Sequence, residues 1–374
     1  MIYLDNAATG WPKPEEVRQS IVFALENFGN PGRGGHILGL NADNALYECR
    51  CKAAKLFGVS EEERVVFTMN ATHALNIAIR NAAKDGGHFV ISGYEHNSVV
   101  RPLENLKNIL YSVAHSKVFD EEDAFEQIMA KVREDTVCII LNHVSNVFGN
   151  MMPIEKIDEF CSRKGIDLIL DASQSAGNID IDVSKLKSLR YVCMPGHKGL
   201  NGPSGTGILI CCKGDRHYGI MQGGTGSESQ NFMQPTYLPD ALESGTSNFV
   251  GIAGLAAGID FVLKNKCSEI NRHKSELINY LAENFPDNKK LKLFYDIRQH
   301  SLISFTGFEN NDLIFEELCR RDICVRSGLH CSPLAHKSAG TSEYGAIRLS
   351  FSPFNDMDDI KMFLENLKNI LKLI

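Results

Sequence analysis

Polar residues follow five apolar runs in the first half of the chain, at the points where strands of a parallel sheet would end. These segments span residues 70–73, 94–97, 142–146, 171–177 and 195–199. Ligands bind at the carboxyl ends of the strands in an open α/β sheet, so we expect the five segments to face one crevice. They would bring Thr, His, Asn, Asp, Gln and a His-Lys pair to it.

This set of residue types suits one cofactor. A lysine in a glycine-rich turn, Lys198, can form a Schiff base with an aldehyde. Asp171 can keep a pyridine nitrogen protonated, which makes the ring an electron sink. Thr72 at a predicted helix start suits a phosphate, and His96 can lie on the ring face. Each residue alone is more typical of a cap, a turn or packing, but together they predict a site for pyridoxal 5'-phosphate (PLP).

Short apolar runs alternate with helix-like stretches between about residues 60 and 212. This rhythm predicts an α/β fold, with a mostly parallel sheet that helices cover on both faces. The predicted strands span residues 64–68, 88–92, 137–143, 167–171, 191–194 and 207–212. The predicted helices include 121–133 and 154–164, and residues 202–207 are interpreted as a hairpin-like turn, since they lack the Lys-Ser/Thr ending of a P-loop.

From about residue 265 the pattern changes to longer charged helices and alternating strands at 302–306 and 346–351. This texture predicts a smaller α+β domain. We therefore expect a large cofactor-binding domain at residues 14–262 and a small domain formed by residues 1–13 and 263–374.

Composition limits the classes of function. The chain has 39 Lys+Arg against 46 Asp+Glu, a net charge of −7, and no basic blocks, so nucleic acid is not an expected partner. Its longest apolar stretch, residues 249–263, is interrupted by Asp260 and is too short for a membrane span, so it predicts a helix. The first residues lack the pattern of a secretory signal, and a cytoplasmic protein is expected.

The chain has eleven cysteines, and none has zinc-site spacing, so we expect no metal site. Reduced thiols are expected, and most should pack as small buried hydrophobes. Cys331 differs, because Gly328, His330 and Pro333 mark an irregular loop around it. The neighbouring His330 and the nearby Arg326 are expected to favour its thiolate.

The sequence resembles the cysteine desulfurases, which belong to the class V aminotransferase family of fold-type I PLP enzymes. The similarity lies in Tyr3-Leu4-Asp5-Asn6-Ala7-Ala8-Thr9, the segments around His96, Asn146, Asp171 and Lys198, residues 243–248, and Arg326-Ser327-Gly328-Leu329-His330-Cys331. The last of these resembles the catalytic loop of the SufS-like branch, which also includes selenocysteine-lyase-like proteins. The similarity covers nearly the whole chain.

The resemblance implies a role for each matching residue. Lys198 would anchor PLP and later act as the base, Asp171 would pair with the ring nitrogen, and His96 would stack on the ring. Gln174 and Asn146 would contact its phenolic side, while Ala71 (through its N–H), Thr72, His197 and Thr246 of a second subunit would hold the phosphate. Cys331 would attack the substrate sulfur. The implied substrate-binding residues are Arg348, which would clamp the carboxylate, together with Asn146, Ala8, His36 and Arg326.

The chain also departs from the family pattern. Pro195 replaces a serine before the Gly-His-Lys segment, and Ala71 replaces one threonine of the phosphate pair. Residues 332–337 carry extra basic groups behind Cys331. Phosphate binding should persist through backbone amides and Thr246.

The resemblance implies a homodimer that converts L-cysteine to L-alanine and leaves a persulfide on Cys331 for an unidentified acceptor. A selenocysteine lyase, in which selenium depends less on Cys331, is the nearest alternative. Another class V lyase or transaminase and a catalytically silent PLP-binding protein stay open as well. The silent protein is disfavoured, because Lys198 and Cys331 are both present.

Overall fold

The computed structural model describes residues 1–32, 35–298 and 301–373. Its strands are β1 (Ile2–Tyr3), β2 (Val65–Thr68), β3 (Gly87–Ser92), β4 (Ile109–Ala114), β5 (Thr136–Asn142), β6 (Asp167–Asp171), β7 (Leu189–Pro195), β8 (Gly207–Cys211), β9 (Lys292–Phe294), β10 (Leu302–Thr306), β11 (Ile323–Cys324), β12 (Arg326–Gly328) and β13 (Ala346–Ser350). Its α-helices are α1 (Glu15–Asn27), α2 (Ile37–Phe57), α3 (Ala71–Ala82), α4 (Asn97–Glu104), α5 (Glu121–Met129), α6 (Ile154–Lys164), α7 (Phe249–Asn265), α8 (Cys267–Glu283), α9 (Asn311–Arg320), α10 (Pro333–Ala339) and α11 (Met357–Leu371).

A seven-stranded sheet forms the centre of the molecule, in the order β2-β8-β7-β6-β5-β3-β4. All neighbouring strands are parallel except β8, which runs antiparallel to β2 and β7. The α/β fold with a mostly parallel sheet is therefore confirmed. The hairpin-like turn after Lys198 is present as well, because Pro195 pairs with Gly207 across it.

Successive strand residues point to opposite faces of this sheet, and helices cover both faces. In β5, Ile139 and Leu141 pack into one core cluster, while Cys138 and Ile140 pack into the other. All four side chains are fully buried. The near-continuous apolar run of a doubly covered strand made β5 recognisable from the sequence.

The edge strand β4 was not predicted. Only its two end residues, Ile109 and Ala114, are buried, and Leu110 is exposed. An edge strand pairs with only one neighbouring strand, and here only one of its faces is covered. Such a strand lacks the long apolar run that marks central strands.

A four-stranded antiparallel sheet, in the order β12-β13-β10-β9, forms the second unit and packs with α8, α9 and α11 around its own core cluster. The N-terminal segment ties this unit to the large sheet. Strand β1 pairs with β11, and Ala7 donates its N–H to the Ser350 hydroxyl. Further along, Gly10 donates to the carbonyl of His197. The boundary after residue 262 stays a prediction.

Within the described residues, no helix is both long and apolar enough to cross a lipid bilayer.

Candidate active site

A cavity of about 240 Å³ lies at the carboxyl ends of the central strands, between the large sheet and the small unit. Most of the residues predicted for the site line it. They are Ala8, Ala71, Thr72, His96, Asn146, Asp171, Gln174, His197, Lys198, Arg326, Cys331 and Arg348. The sequence pattern therefore identified residues that the fold brings together from segments more than 300 positions apart.

Lys198 lies in the turn that follows β7, and the N-terminal segment holds this turn in place. The His197 carbonyl accepts hydrogen bonds from the Gly10 N–H at 2.9 Å, the Lys13 ammonium at 2.8 Å and the Thr9 hydroxyl at 3.2 Å. Burial lowers the pKa of Lys198 to about 8, an effect that Asp171 opposes. An amine with that pKa is partly neutral near physiological pH, as a nucleophile that attacks an aldehyde must be.

Asp171 ends β6 directly beside Asn142 of β5, and both side chains line the cavity. One carboxylate oxygen of Asp171 accepts the N–H of Ser173 at 2.9 Å, which fixes the side chain at the end of its strand. The same local bond turns the chain into the following segment.

His96 begins α4 as its N-cap, and its Nδ1 accepts the N–H of Ser98 at 3.0 Å. The ring proton therefore lies on Nε2 in the neutral form. Burial is the main cause that lowers the pKa of His96 below its usual value. The Ser98 hydroxyl also contacts the Thr72 hydroxyl at 2.8 Å, which joins the starts of α3 and α4.

The N-terminus of the twelve-residue helix α3 opens toward the cavity. Asn70 caps it by accepting the N–H of His73 at 2.9 Å. Ala71 and Thr72 form the first helical positions and line the cavity, and unpaired N–H groups at such positions suit an anion.

The loop that carries Cys331 is held from both sides. The Asn146 side chain donates to the His330 carbonyl at 2.8 Å and accepts from the Ser332 hydroxyl at 2.7 Å. The Cys331 carbonyl accepts the N–H of Asn97 at 2.8 Å. His330 and Cys331 both have left-handed backbone conformations, with φ of 50° and 57°, and Cys331 is exposed. Such a strained pair persists only where neighbouring contacts hold it.

The surroundings of His330 do not favour a positive charge beside Cys331. Its Nε2 donates to the Ala346 carbonyl at 2.9 Å, and its ring stacks on that of His336 with centroids 6.0 Å apart. Burial is the main cause that lowers the pKa of His330 well below its usual value. A neutral, buried imidazole supplies no positive charge to Cys331.

Arg348 is almost fully buried at the cavity wall and already has two partners. It donates to the Asn146 carbonyl at 2.8 Å and to the Asp5 carboxylate at 2.8 Å. Asp5 also lies 3.7 Å from the half-exposed Arg326, which pairs with Arg348 across β12 and β13. The Nε of Arg348 is buried and has no hydrogen-bond partner among the described residues.

Comparisons with known proteins agree on one family. The family model described as aminotransferase class-V matches residues 2–363. A probable cysteine desulfurase of Methanothermobacter thermautotrophicus is 30% identical, over 99% of this chain and 94% of that protein. The cysteine desulfurase IscS of Clostridium botulinum is 27% identical, over 99% and 94%. The apo structure of a cysteine desulfurase from Thermococcus onnurineus superposes with a TM-score of 0.89 at 26% identity, over 100% and 95% of the chains. The chain belongs to the class-V aminotransferase family.

Class-V aminotransferases depend on PLP, and the cavity residues fit this group. Lys198 supplies an amine with a lowered pKa, Asp171 supplies a carboxylate at a strand end, and the start of α3 supplies N–H groups. His197 lines the cavity, and its Nδ1 is buried with no hydrogen-bond partner in the described part of the chain. A buried polar atom of this kind needs a hydrogen-bond partner, and a bound ligand can supply one.

Two predicted site residues of this class-V aminotransferase do not reach the cavity within one chain. Thr246 is exposed and lines a separate pocket of about 220 Å³ with Thr68 and His73. His36 is exposed and caps α2, where its Nδ1 accepts the N–H of Gly39 at 3.2 Å. Their roles in binding stay predictions.

Three residues of the site were not assigned a role from the sequence. Asp5 holds Arg348, Asn142 lies beside Asp171, and Ser332 holds Asn146. The role of Asn142 could have been predicted, because it directly follows an apolar run and so lies at a strand end. No pattern in the sequence indicates the contacts of Asp5 and Ser332, since each depends on a partner at least 180 residues away.

Proposed function

We propose that this class-V aminotransferase is a PLP-dependent cysteine desulfurase that converts L-cysteine to L-alanine and leaves a persulfide on Cys331. The observation that carries the proposal is that an exposed thiol, Cys331, lines the same cavity as the amine of Lys198. Relatives named cysteine desulfurase, which align over almost their full length, support it.

In this proposal different cavity residues bind different groups of PLP. Lys198 holds the aldehyde carbon, Asp171 holds the ring nitrogen, and His96 covers one ring face. The start of α3, with Thr72 and the unpaired Nδ1 of His197, holds the phosphate. When bound, PLP withdraws electrons from the amino acid and so stabilises negative charge at its Cα.

Gln174 and Asn146 are the two candidates for the contact with the phenolic oxygen of PLP. The amide of Gln174 donates to the Ala7 carbonyl at 3.1 Å, and Gln174 also lines the cavity. The amide of Asn146 already binds the Cys331 loop. We therefore assign the contact with the phenolic oxygen to Gln174. Asn146 has the additional role of holding the Cys331 loop.

The substrate enters beside Arg348, whose guanidinium suits a carboxylate. The Nε of Arg348 is the donor that has no partner, while Asp5 and the Asn146 carbonyl fix the guanidinium plane. Arg326 and Ala8 complete this wall. The amine of Lys198 then takes the proton from Cα.

Cys331 acts in the next step as a thiolate. Its Sγ attacks the sulfur of the substrate, and a bond forms between the two sulfurs. The bond from sulfur to the substrate Cβ breaks, Cβ takes a proton, and alanine leaves. A persulfide remains on Cys331, and no external oxidant is consumed.

We further propose that the protein acts as a homodimer, in which Thr246 and His36 of one subunit complete the cavity of the other. Large apolar side chains are exposed in α1, in α2 and in the loop between β8 and α7. They include Val22, Phe23, Leu25, Ile37, Leu38, Phe232 and Met233. Contiguous exposed apolar patches mark interaction surfaces, and light scattering in solution would test the subunit number.

A cytoplasmic location belongs to the same proposal. All eleven cysteines are free thiols, which suits a reducing compartment.

The test measures alanine and sulfide released from L-cysteine in the presence of a thiol reductant. The native protein should release both, and Cys331→Ala should lose sulfide release while it keeps PLP. Cys319→Ala is the matched control, because Cys319 is also exposed but lies on α9. Activity in Cys331→Ala equal to that of the native protein would contradict the proposal. Release of selenide from L-selenocysteine, without release of sulfide from L-cysteine, would instead support the selenocysteine lyase.

A further inference from the structure

Cys331 separates two spaces. Cys331 lines the cavity together with Lys198, and it also lines an adjoining open groove of about 490 Å³. This groove, which we call the α3–α4 groove, runs between the faces of α3 and α4 that carry Asn76 and Arg101. A nucleophile placed between two spaces can take a group from one and deliver it to the other.

The charge of the α3–α4 groove is one-sided. Arg80 and Arg101 line it, and no Asp or Glu does so among the described residues. Both arginines are exposed, and neither has an ion pair within the described part of the chain. The protein as a whole carries a net charge of −7. Unpaired arginines beside a nucleophile in an acidic protein indicate an anionic ligand.

The position of Arg101 supports this reading. It is among the charges that lower the pKa of His96, a residue shared by the cavity and the groove. Its field therefore extends to the mouth of the cavity, where the thiol of Cys331 lies. The volume of the groove falls in the range of small-molecule sites.

We propose that the α3–α4 groove binds a small anionic thiol, one that carries carboxylate or phosphate groups, which accepts the sulfur from Cys331. The inference rests on the proposed desulfurase function for its chemistry. The acceptor thiolate attacks the outer sulfur of the Cys331 persulfide. A new bond joins the two sulfurs, the old S–S bond breaks, and its electron pair stays on the Sγ of Cys331. The acceptor leaves as a persulfide, and no oxidant or reductant is needed.

The first experiment tests the charge selection without any turnover. Iodoacetate and iodoacetamide both alkylate thiols, but only iodoacetate is an anion. The rate with iodoacetate divided by the rate with iodoacetamide at Cys331 therefore reports the local preference for anions. Mass spectrometry of the labelled peptides gives this ratio in the holoenzyme, and Cys319 is the reference within the same molecule. The ratio should be higher at Cys331 than at Cys319, and high salt should lower it.

The variants Arg80→Gln and Arg101→Gln should each lower the ratio at Cys331, and the double variant by about 3- to 10-fold. Arg163→Gln is the matched control, because Arg163 is likewise exposed in the last turn of its helix. An unchanged ratio in the double variant would overturn the anion site. If the double variant changes the rates with both reagents by the same factor, the ratio is unchanged, and this result would also overturn the anion site.

The second experiment tests the acceptor. Cys331 is loaded from L-[³⁵S]cysteine, and transfer of the label to 2-mercaptosuccinate or 2-mercaptoethanol is timed. The double variant should slow transfer to the dianionic thiol by the same factor and leave the neutral thiol within about twofold. Equal slowing of both thiols, or of neither, would overturn the small-molecule acceptor. Failure of the desulfurase function would appear separately, as an absence of alanine from the native protein.

Discussion

The hydroxyl of Ser332 donates a 2.7 Å hydrogen bond to the side-chain carbonyl of Asn146. Ser332 is completely buried, and it follows Cys331 directly. The same Asn146 amide donates to the carbonyl of the residue before Cys331. One side chain in the segment after β5 thus holds both flanks of the exposed cysteine.

Removal of this contact should loosen the Cys331 loop. Ser332→Ala leaves the buried oxygen of Asn146 without its donor, at a cost of about 1 to 3 kcal/mol. We expect alanine formation from L-cysteine to fall several-fold and hydrogen exchange across residues 329–333 to rise, with the absorption of bound PLP unchanged. Ser342→Ala, at an exposed position on the same segment, is the control. Unchanged hydrogen exchange in Ser332→Ala would show that the bond does not hold the loop.

Replacement of Lys198 should abolish the covalent attachment of PLP. Lys198→Ala removes the amine at the cavity floor, so the visible absorption of the protein-bound Schiff base should disappear. Lys337→Ala removes an exposed lysine behind the Cys331 loop and should keep the band. Persistence of the band in Lys198→Ala would refute the assignment of the anchor.

The uptake of PLP by protein stripped of cofactor should depend on pH through Lys198. Burial lowers the pKa of this amine to about 8, and only its neutral form attacks an aldehyde. The neutral fraction, and with it the second-order rate of uptake, should rise about fivefold from pH 7 to 8 and less than about twofold from pH 8 to 9. A rate that still rises about eightfold between pH 9 and 10 would mean that the amine has its ordinary pKa of 10.5.

Glu95 should make the stability of the fold decrease with rising pH. It is fully buried, one oxygen accepts from the Ser92 hydroxyl and the Asn142 N–H, and burial raises its pKa to about 8 from 4.5. The folded protein therefore retains a proton that the unfolded chain has lost. This contribution to stability is fully present below about pH 4.5 and is lost as the pH rises through about 8.

Glu95→Gln removes the titrating group and should flatten this dependence. The difference in free energy of unfolding between the native protein and Glu95→Gln should change by up to about 1.4 kcal/mol per pH unit between pH 5 and 8. Urea titrations at several pH values would measure it, with the exposed Glu126→Gln as control. A difference that is constant across this range would show that Glu95 is ionised in the fold.

Gly177 permits the close approach between the segment after β6 and the lysine turn. Its φ is +77°, and a Cβ there would lie 2.3 Å from the Gly199 carbonyl oxygen. Gly177→Ala should destabilise the protein by roughly 2 to 4 kcal/mol and weaken PLP binding, because the turn must shift. Gly165→Ala is the matched control, with φ of +68° and, apart from its chain neighbours, no atom of the described residues within 4 Å of the added Cβ. It should cost only about 1 kcal/mol, and equal losses in thermal unfolding would contradict the steric argument.

Much of the fold was readable from the sequence. The strands at 167–171 and 302–306 and the helix at 154–164 have the predicted bounds, because apolar runs and helical periodicity are local. The order of polar residues at strand ends also predicted which side chains share the cavity, since parallel topology places those ends at one edge. The edge strand β4 was not predicted because it lacks a long apolar run.

The tertiary structure decided what surrounds the chemical groups. The charge of His330 depends on burial against Ala346 and His336, the orientation of Arg348 depends on Asp5, and the hold on Cys331 depends on Asn146. Each relies on a partner that other elements deliver, and no local spacing encodes it. Residue types fix which chemistry a chain can perform, whereas packing sets the dielectric surroundings and hydrogen-bond partners that determine each group's protonation and position.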